Sequence, residues 1–230
     1  MFMADWENVL SSKLYEDYSI RSIPLPVFDE SEMAICRGYC KENECGCYNT
    51  SWACPPGFRM DPRSLYDASE TVLLVRRRFD IRKDDPMVAD VSREVQHIIR
   101  LMCKDLRNNG MECLGFADGK CSYCGECAYP EPCRFPDALV PSVSALGVLL
   151  KPYLEKHGET LDFKDEYVTI HALIFIAKEG IALPDPLGAT PRERSRRPQA
   201  GGSWRSPPRA PGSAWPSRWT CVRTYPFRGL

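Results

Sequence analysis

Residues 70–79 read ETVLLVRRRF, residues 86–109 carry Val88, Val91, Val95, Ile98, Ile99, Met102 and Leu106 at helical spacing, and residues 111–117 read MECLGFA. The three segments predict strand, helix and strand in succession, because apolar residues recurring every three or four positions put one helix face on a core. Gly110 stands where a helix takes its C-terminal glycine. A βαβ-like unit of this kind implies an α/β (or α+β) fold, a small sheet with flanking helices. Working outward, residues 5–15 are expected to form a first helix. Residues 22–28 are expected to be extended but confined to a sheet edge, since Pro24 and Pro26 cannot donate to a ladder. Residues 142–157 predict another amphipathic helix, and residues 167–178, YVTIHALIFIAK, the last and most apolar strand.

The chain has 230 residues, 12 cysteines and only 3 histidines, with a formal net charge of −1. That length predicts one domain with enough chain for an ordinary core. The charge balance argues against a protein that holds nucleic acid by phosphate neutralisation. The first ten residues lack the apolar stretch of a signal peptide, and the longest apolar run, 170–177, is far short of a membrane span. A soluble, cytoplasmic protein is expected, with no membrane partner. In a reducing compartment, many cysteines point to thiolate metal ligation ahead of disulfides.

The composition changes at residue 182. Residues 182–230 hold nine arginines and no lysine against Asp185 and Glu193, so they carry +7 and leave −8 on residues 1–181. With nine prolines and no apolar period, this tail is expected to be disordered. Its abrupt Arg, Pro, Gly, Ser and Trp bias also resembles out-of-frame reading of GC-rich codons, and no site is assigned there. The expected division is therefore a Cys-rich metal-binding domain at 1–181 and a tail at 182–230.

Two cysteine clusters carry the chemistry. The second, Cys121-x2-Cys124-x2-Cys127-x5-Cys133, follows a strand directly, and two-residue gaps let neighbouring thiolates turn toward one centre. The triple at this pitch is similar to the way ferredoxins hold a cubane iron–sulfur cluster, although ferredoxins place three residues, not five, before the last cysteine. The first cluster puts Cys36, Cys40, Cys45, Cys47 and Cys54 within nineteen residues, in a stretch whose turn formers predict a loop rather than a helix or strand. Cys40, Cys45 and Cys54 are the favoured ligands, with Cys36 and Cys47 competing for a fourth place. Cys103, beside the apolar stripe, and Cys113, in a strand, read as small buried hydrophobes.

His97, His157 and His171 all lie inside expected helices or a strand, away from both clusters. All-cysteine ligation remains, which suits one or two 4Fe-4S clusters or, alternatively, a structural zinc held by four thiolates. No dinucleotide, Walker or H-E-x-x-H motif is present. Asp84 with Asp85, and Asp162 with Asp165 and Glu166, read as solvated turns rather than acid–base pairs. Arg76, Arg77 and Arg78 could dock an acidic partner or guard an exposed edge.

An early cluster ending in Cys54-Pro55-Pro56, paired with a later triple running into Pro132-Cys133-Arg134-x-Pro136, resembles an uncharacterised group of predicted metal-binding proteins, mostly from anaerobic microbes. The resemblance covers about residues 20–180. It implies a metal, in an iron–sulfur cluster by preference, and no assigned reaction; members usually have fewer cysteines in the early cluster. Three functions follow as expectations: an electron-transfer module serving a larger redox enzyme; a zinc-held interaction module; and, least favoured, an enzyme with an open iron site. An accessory protein is expected over a stand-alone enzyme.

Overall fold

The computed structural model describes residues 5–188. Its centre is a four-stranded sheet built from β1 (Ser19–Ile23), β2 (Ser69–Phe79), β3 (Cys113–Phe116) and β4 (Val168–Ala177), in the order β1-β2-β4-β3 with every neighbouring pair antiparallel. The fold is therefore α+β. β2 and β3 run parallel to each other with β4 inserted between them, so the strand–helix–strand unit is present but split. The apolar content of β4 explains its place: Val168 to Ile176 are all buried, as a strand covered on both faces requires.

Period-two alternation divides the core into two layers. Leu73 and Val75 of β2, Cys113 of β3 and Ile170, Ala172 and Ile174 of β4 face α4 (Val88–Asn108), whose Val95, Ile99, Met102 and Leu106 they meet. Val72, Leu74, Phe116, Leu173 and Phe175 face the other way, against α3 (Pro62–Ala68), α5 (Leu150–Lys156) and a 3-10 turn at Val143–Leu146. α4 ends as expected, with Gly110 at φ 83°.

Several expectations are corrected by local chemistry. The first helix is short: α1 (Trp6–Val9) gives way to a 3-10 turn at Lys13–Tyr15 that Ser12 caps. β1 lies at the sheet edge as expected but ends at Ile23, before Pro24, rather than running to residue 28. The helix expected over 142–157 is interrupted at Gly147, which adopts φ 78° and sits where a Cβ would be 2.6 Å from the Met33 sulfur. α3 was not expected, although Asp61 caps it and Pro62 opens it in the positions helices favour. Packing also continues past residue 181. Leu183 is 1% exposed and the Pro186 carbonyl accepts from the Arg59 amide at 3.1 Å. The tail expected to be disordered lies, from residue 189 on, outside the described residues.

The arginine run faces its own chain. Arg76 and Arg78 share one sheet face, as alternation requires; Arg76 pairs with Glu159, Arg77 with Asp17 and Glu94, and Arg78 with Asp80. Asp84 pairs with Arg82 and Asp162 with Lys164, consistent with turn carboxylates. Among the described residues no helix is long and apolar enough to cross a membrane.

His171 lies in the middle of the sheet, 1% exposed, with neither ring nitrogen hydrogen-bonded. Burial, and next the neighbouring Arg76 charge, pull its pKa down to about 4. The unfolded chain takes up a proton near pH 6.5 that the folded chain refuses until about 4, so stability falls as pH falls through that window. We expect acid unfolding to show a slope of up to about 1.4 kcal/mol per pH unit there, and His171→Leu to remove it in urea titrations at stepped pH. Gly115 of β3 gives a second expectation. A Cβ there would stand 2.3 Å from Ile99 Cγ2 and 3.0 Å from Cys103 Sγ, so Gly115→Ala should lower unfolding free energy by about 1–3 kcal/mol by overpacking.

Candidate metal centre

The first cysteine cluster begins on a helix. In α2 (Glu30–Glu42), the Asp29 side chain caps the amides of Ser31 and Glu32 at 2.7 and 3.0 Å, and Asn43 closes the last turn at φ 56°. The loop expected over the whole cluster is thus corrected. Gly38 lies within the helix with open space around it, and the helix stops only at Asn43. Cys36 and Cys40 therefore stand one helical turn apart. Cys36 is buried, and burial raises its thiol to about 12.

Beyond Asn43 the chain wraps tightly. The Tyr48 amide donates to Asn43 Oδ1 at 2.9 Å, the Thr50 hydroxyl to the Cys47 carbonyl at 3.0 Å, and the Cys47 thiol to the Cys45 carbonyl at 3.3 Å. Cys47 and Cys54 are buried and hydrogen-bond to each other. That bond, then burial, then the charges of Cys47, Cys45 and Cys40 push Cys54 well above the ordinary thiol range. Cys47, Cys45 and Cys40 thus lie close enough to act on Cys54, and Cys36 has Cys40, Glu32 and Arg37 among its charged neighbours.

The second cluster is held from α4. Gln96, 3% exposed, donates through Nε2 to the carbonyls of Asp118 and Lys120 at 2.8 and 2.9 Å, and its Oε1 accepts from the Ser122 amide and hydroxyl at 3.0 and 2.9 Å. One side chain therefore fixes the backbone on both sides of Cys121. One turn along, Arg100 donates to the Ala138 carbonyl at 2.8 Å and to Cys121 Sγ at 3.4 Å. Arg134 bonds back to the Glu126 carbonyl. Burial lifts Cys133 to about 11, with Cys121, Cys124 and Cys127 adding to the rise. Burial also raises Cys124, against the pull of Arg134. Cys121, Cys124 and Cys127 thus lie near enough to Cys133 to act on it.

The two segments adjoin. Trp52 Nε1 donates to the Glu131 carbonyl at 2.7 Å, its ring meets Tyr129 edge-on at 5.0 Å, and the Tyr129 hydroxyl reaches Asn49 Oδ1 at 2.8 Å. Trp52, Ala53 and Leu139 form a small apolar cluster against which Cys121, Cys127 and Cys133 pack. Cys103 and Cys113 lie elsewhere, buried between α4 and β3, with Cys113 Sγ 3.5 Å from the Cys103 carbonyl. All eleven described cysteines are free thiols.

Thiols grouped in this way with no imidazole among them form a soft donor set, suited to iron–sulfur clusters or zinc. Among the described residues, no three or more His, Cys, Asp or Glu side chains are already drawn into a metal-holding arrangement. The neighbours are in place, but the last convergence is not. Spacing alone missed Gln96, Arg100 and Arg37, which donates to the Ala145 carbonyl at 2.8 Å beside Cys36 and Cys40. Gln96 left a signal, an amide among the buried positions Val95, Ile98, Ile99 and Cys103. Asp118, lifted by burial to about 6 and sensing Cys47, was also missed.

Replacing Gln96 by Ala leaves two carbonyls and the Ser122 donors without their partner. We expect Gln96→Ala to cost about 2–3 kcal/mol in urea unfolding. It should also reduce metal retained after gel filtration, since Cys121 is then anchored through Arg100 alone.

No curated protein and no solved structure matches the chain. A family model described as "predicted metal-binding protein" matches residues 33–176, well over half of its length and enough to span every cysteine from Cys36 to Cys133. The match covers both thiol segments and the helix that anchors one of them, and the chain belongs to DUF2284, the predicted metal-binding protein family.

Proposed function

We propose that the protein is an iron–sulfur module of two adjoining four-thiolate centres, one on Cys121, Cys124, Cys127 and Cys133, the other on Cys40, Cys45, Cys47 and Cys54. It would pass single electrons to and from a redox partner protein in the cytoplasm. The observation that carries this reading is the continuous C-x2-C-x2-C-x5-C run pinned to α4 by Gln96 and Arg100, with a second all-thiol set joined to it through Trp52 and Tyr129. Two separated C-x2-C knuckles would have favoured zinc; a continuous triple favours a cubane. Cys36, buried on α2 with its thiol raised to about 12, is left outside the ligand sets.

A bound cubane supplies a one-electron store. The chain's own groups do the rest. Thiols held near one another in the fold would hold the metal as thiolates, releasing their protons to solvent as the metal–sulfur bonds form, and the binding free energy would become folding free energy for loops with little apolar material of their own. Arg100 and Arg134 set positive charge against the second set, while Glu126 and Glu131 oppose it. Net negative charge around such a centre disfavours further reduction.

Protein purified without oxygen should be brown and contain iron and acid-labile sulfide. Dithionite should bleach the visible band and ascorbate should not. Cys124→Ser should lose the second centre together with thermal stability, whereas Cys36→Ser should keep full metal. Stoichiometric zinc without iron or sulfide would replace the redox reading by a structural one, and full metal in Cys124→Ser would remove that residue from the set.

A further inference from the structure

We propose that Cys103 and Cys113 form a reactive dithiol, a modification site that a hydroperoxide entering from the cleft beside α4 converts to a disulfide. The two thiols belong to neither cysteine set, so the inference goes beyond the metal reading and stands without it.

Their placement follows from the packing of α4 on β3. A bridge needs Cα atoms within about 7 Å of each other, so helix and strand must come close. Gly115 supplies that closeness, since a Cβ there would stand 2.3 Å from Ile99 Cγ2 and 3.0 Å from Cys103 Sγ. Cys113 lies two residues earlier on β3 and shares the face of Gly115. Its Sγ is 3.5 Å from the Cys103 carbonyl, and the two thiols hydrogen-bond to each other. One helical turn on, Arg107 donates to the Cys113 carbonyl through Nη2 at 2.7 Å and through Nε at 3.3 Å, which fixes the strand against the helix at this residue.

The two sulfurs differ in access and in protonation. Cys103 and Gly115 line a cleft of about 750 Å³, whereas Cys113 is 0% exposed and takes no part in the lining. A peroxide in the cleft therefore meets Cys103 first. The bond from Cys113 pulls the Cys103 thiol down from its ordinary value against the opposing effect of burial, and the same bond, with burial, pushes Cys113 up. The thiolate is the nucleophile, so Cys103 is the attacking sulfur and Cys113 the resolving one.

The step balances with hydrogen peroxide alone. Cys103 attacks one peroxide oxygen, the O–O bond breaks, and the leaving hydroxide takes the thiol proton and departs as water, which leaves a sulfenic acid on Cys103. The Cys113 sulfur then displaces that hydroxyl and gives it a proton, so a second water leaves as the S–S bond forms. Two thiols lose two electrons and two protons, and one peroxide becomes two waters. In a reducing compartment such a link is transient, as redox-responsive disulfides there are.

Peptide mapping of the full chain, treated with hydrogen peroxide and blocked with a maleimide, tests this. A peptide pair joined through Cys103 and Cys113 should appear, and dithiothreitol should return both thiols. In Cys113→Ser the sulfenic acid on Cys103 has no resolving partner, and dimedone should trap it at about tenfold the yield found in the unsubstituted chain. Cys103→Ser should give neither the link nor a dimedone adduct on Cys113. Zinc-reconstituted protein, which holds no iron for the peroxide to attack, should form the same link, and this keeps the test separate from that of the centres. The map of the unsubstituted chain decides the matter even where a substitution unfolds the protein. Cys103 and Cys113 left as free thiols after other cysteines have oxidised, Cys103 driven to sulfinic acid without the link, or an equally strong dimedone adduct on Cys113 in Cys103→Ser would each overturn the proposal.

Discussion

The contact of α4 with the sheet is the constraint on which the rest of the structure depends. Gly115 lets β3 come so close that a single added carbon would stand 2.3 Å from Ile99. The same close approach buries Gln96 at the point where the chain leaves the strand. A buried amide with both donors and its acceptor used is stable only in one geometry, because any shift leaves a carbonyl or amide without a partner. The apolar stripe of α4 thus supplies the stability, and one polar residue within it supplies the direction in which the second cysteine loop must run.

The two thiol segments depend on this placement in different ways. The second is tied to α4 by side chains and has little hydrophobic material of its own. The first is preorganised by α2, whose capped start fixes Cys36 and Cys40, and by a run of turn bonds from Asn43 to Thr50. Trp52 and Tyr129 then bring the two together with one ring contact and two hydrogen bonds. Each set has an arginine at its rim, Arg37 or Arg100, held by a backbone carbonyl. Positive charge so fixed favours thiolate over thiol, which opposes the desolvation that raises these cysteines.

The amino-acid sequence by itself determined the long amphipathic helix, the strands of 69–79 and 168–177, the grouping of Cys121, Cys124, Cys127 and Cys133, and the burial of Cys103 and Cys113. Each is a matter of local period or spacing, and membership of a predicted metal-binding family rests on a stretch that includes the same residues. Only the tertiary structure decided that β4 inserts between β2 and β3, because strand order depends on which apolar faces meet and not on any one segment. Tertiary structure likewise buried Cys47 beside Cys54. Gln96 and Arg100 acquired their roles in the same way, since a hydrogen bond to a loop some twenty residues away exists only once α4 and β3 have packed.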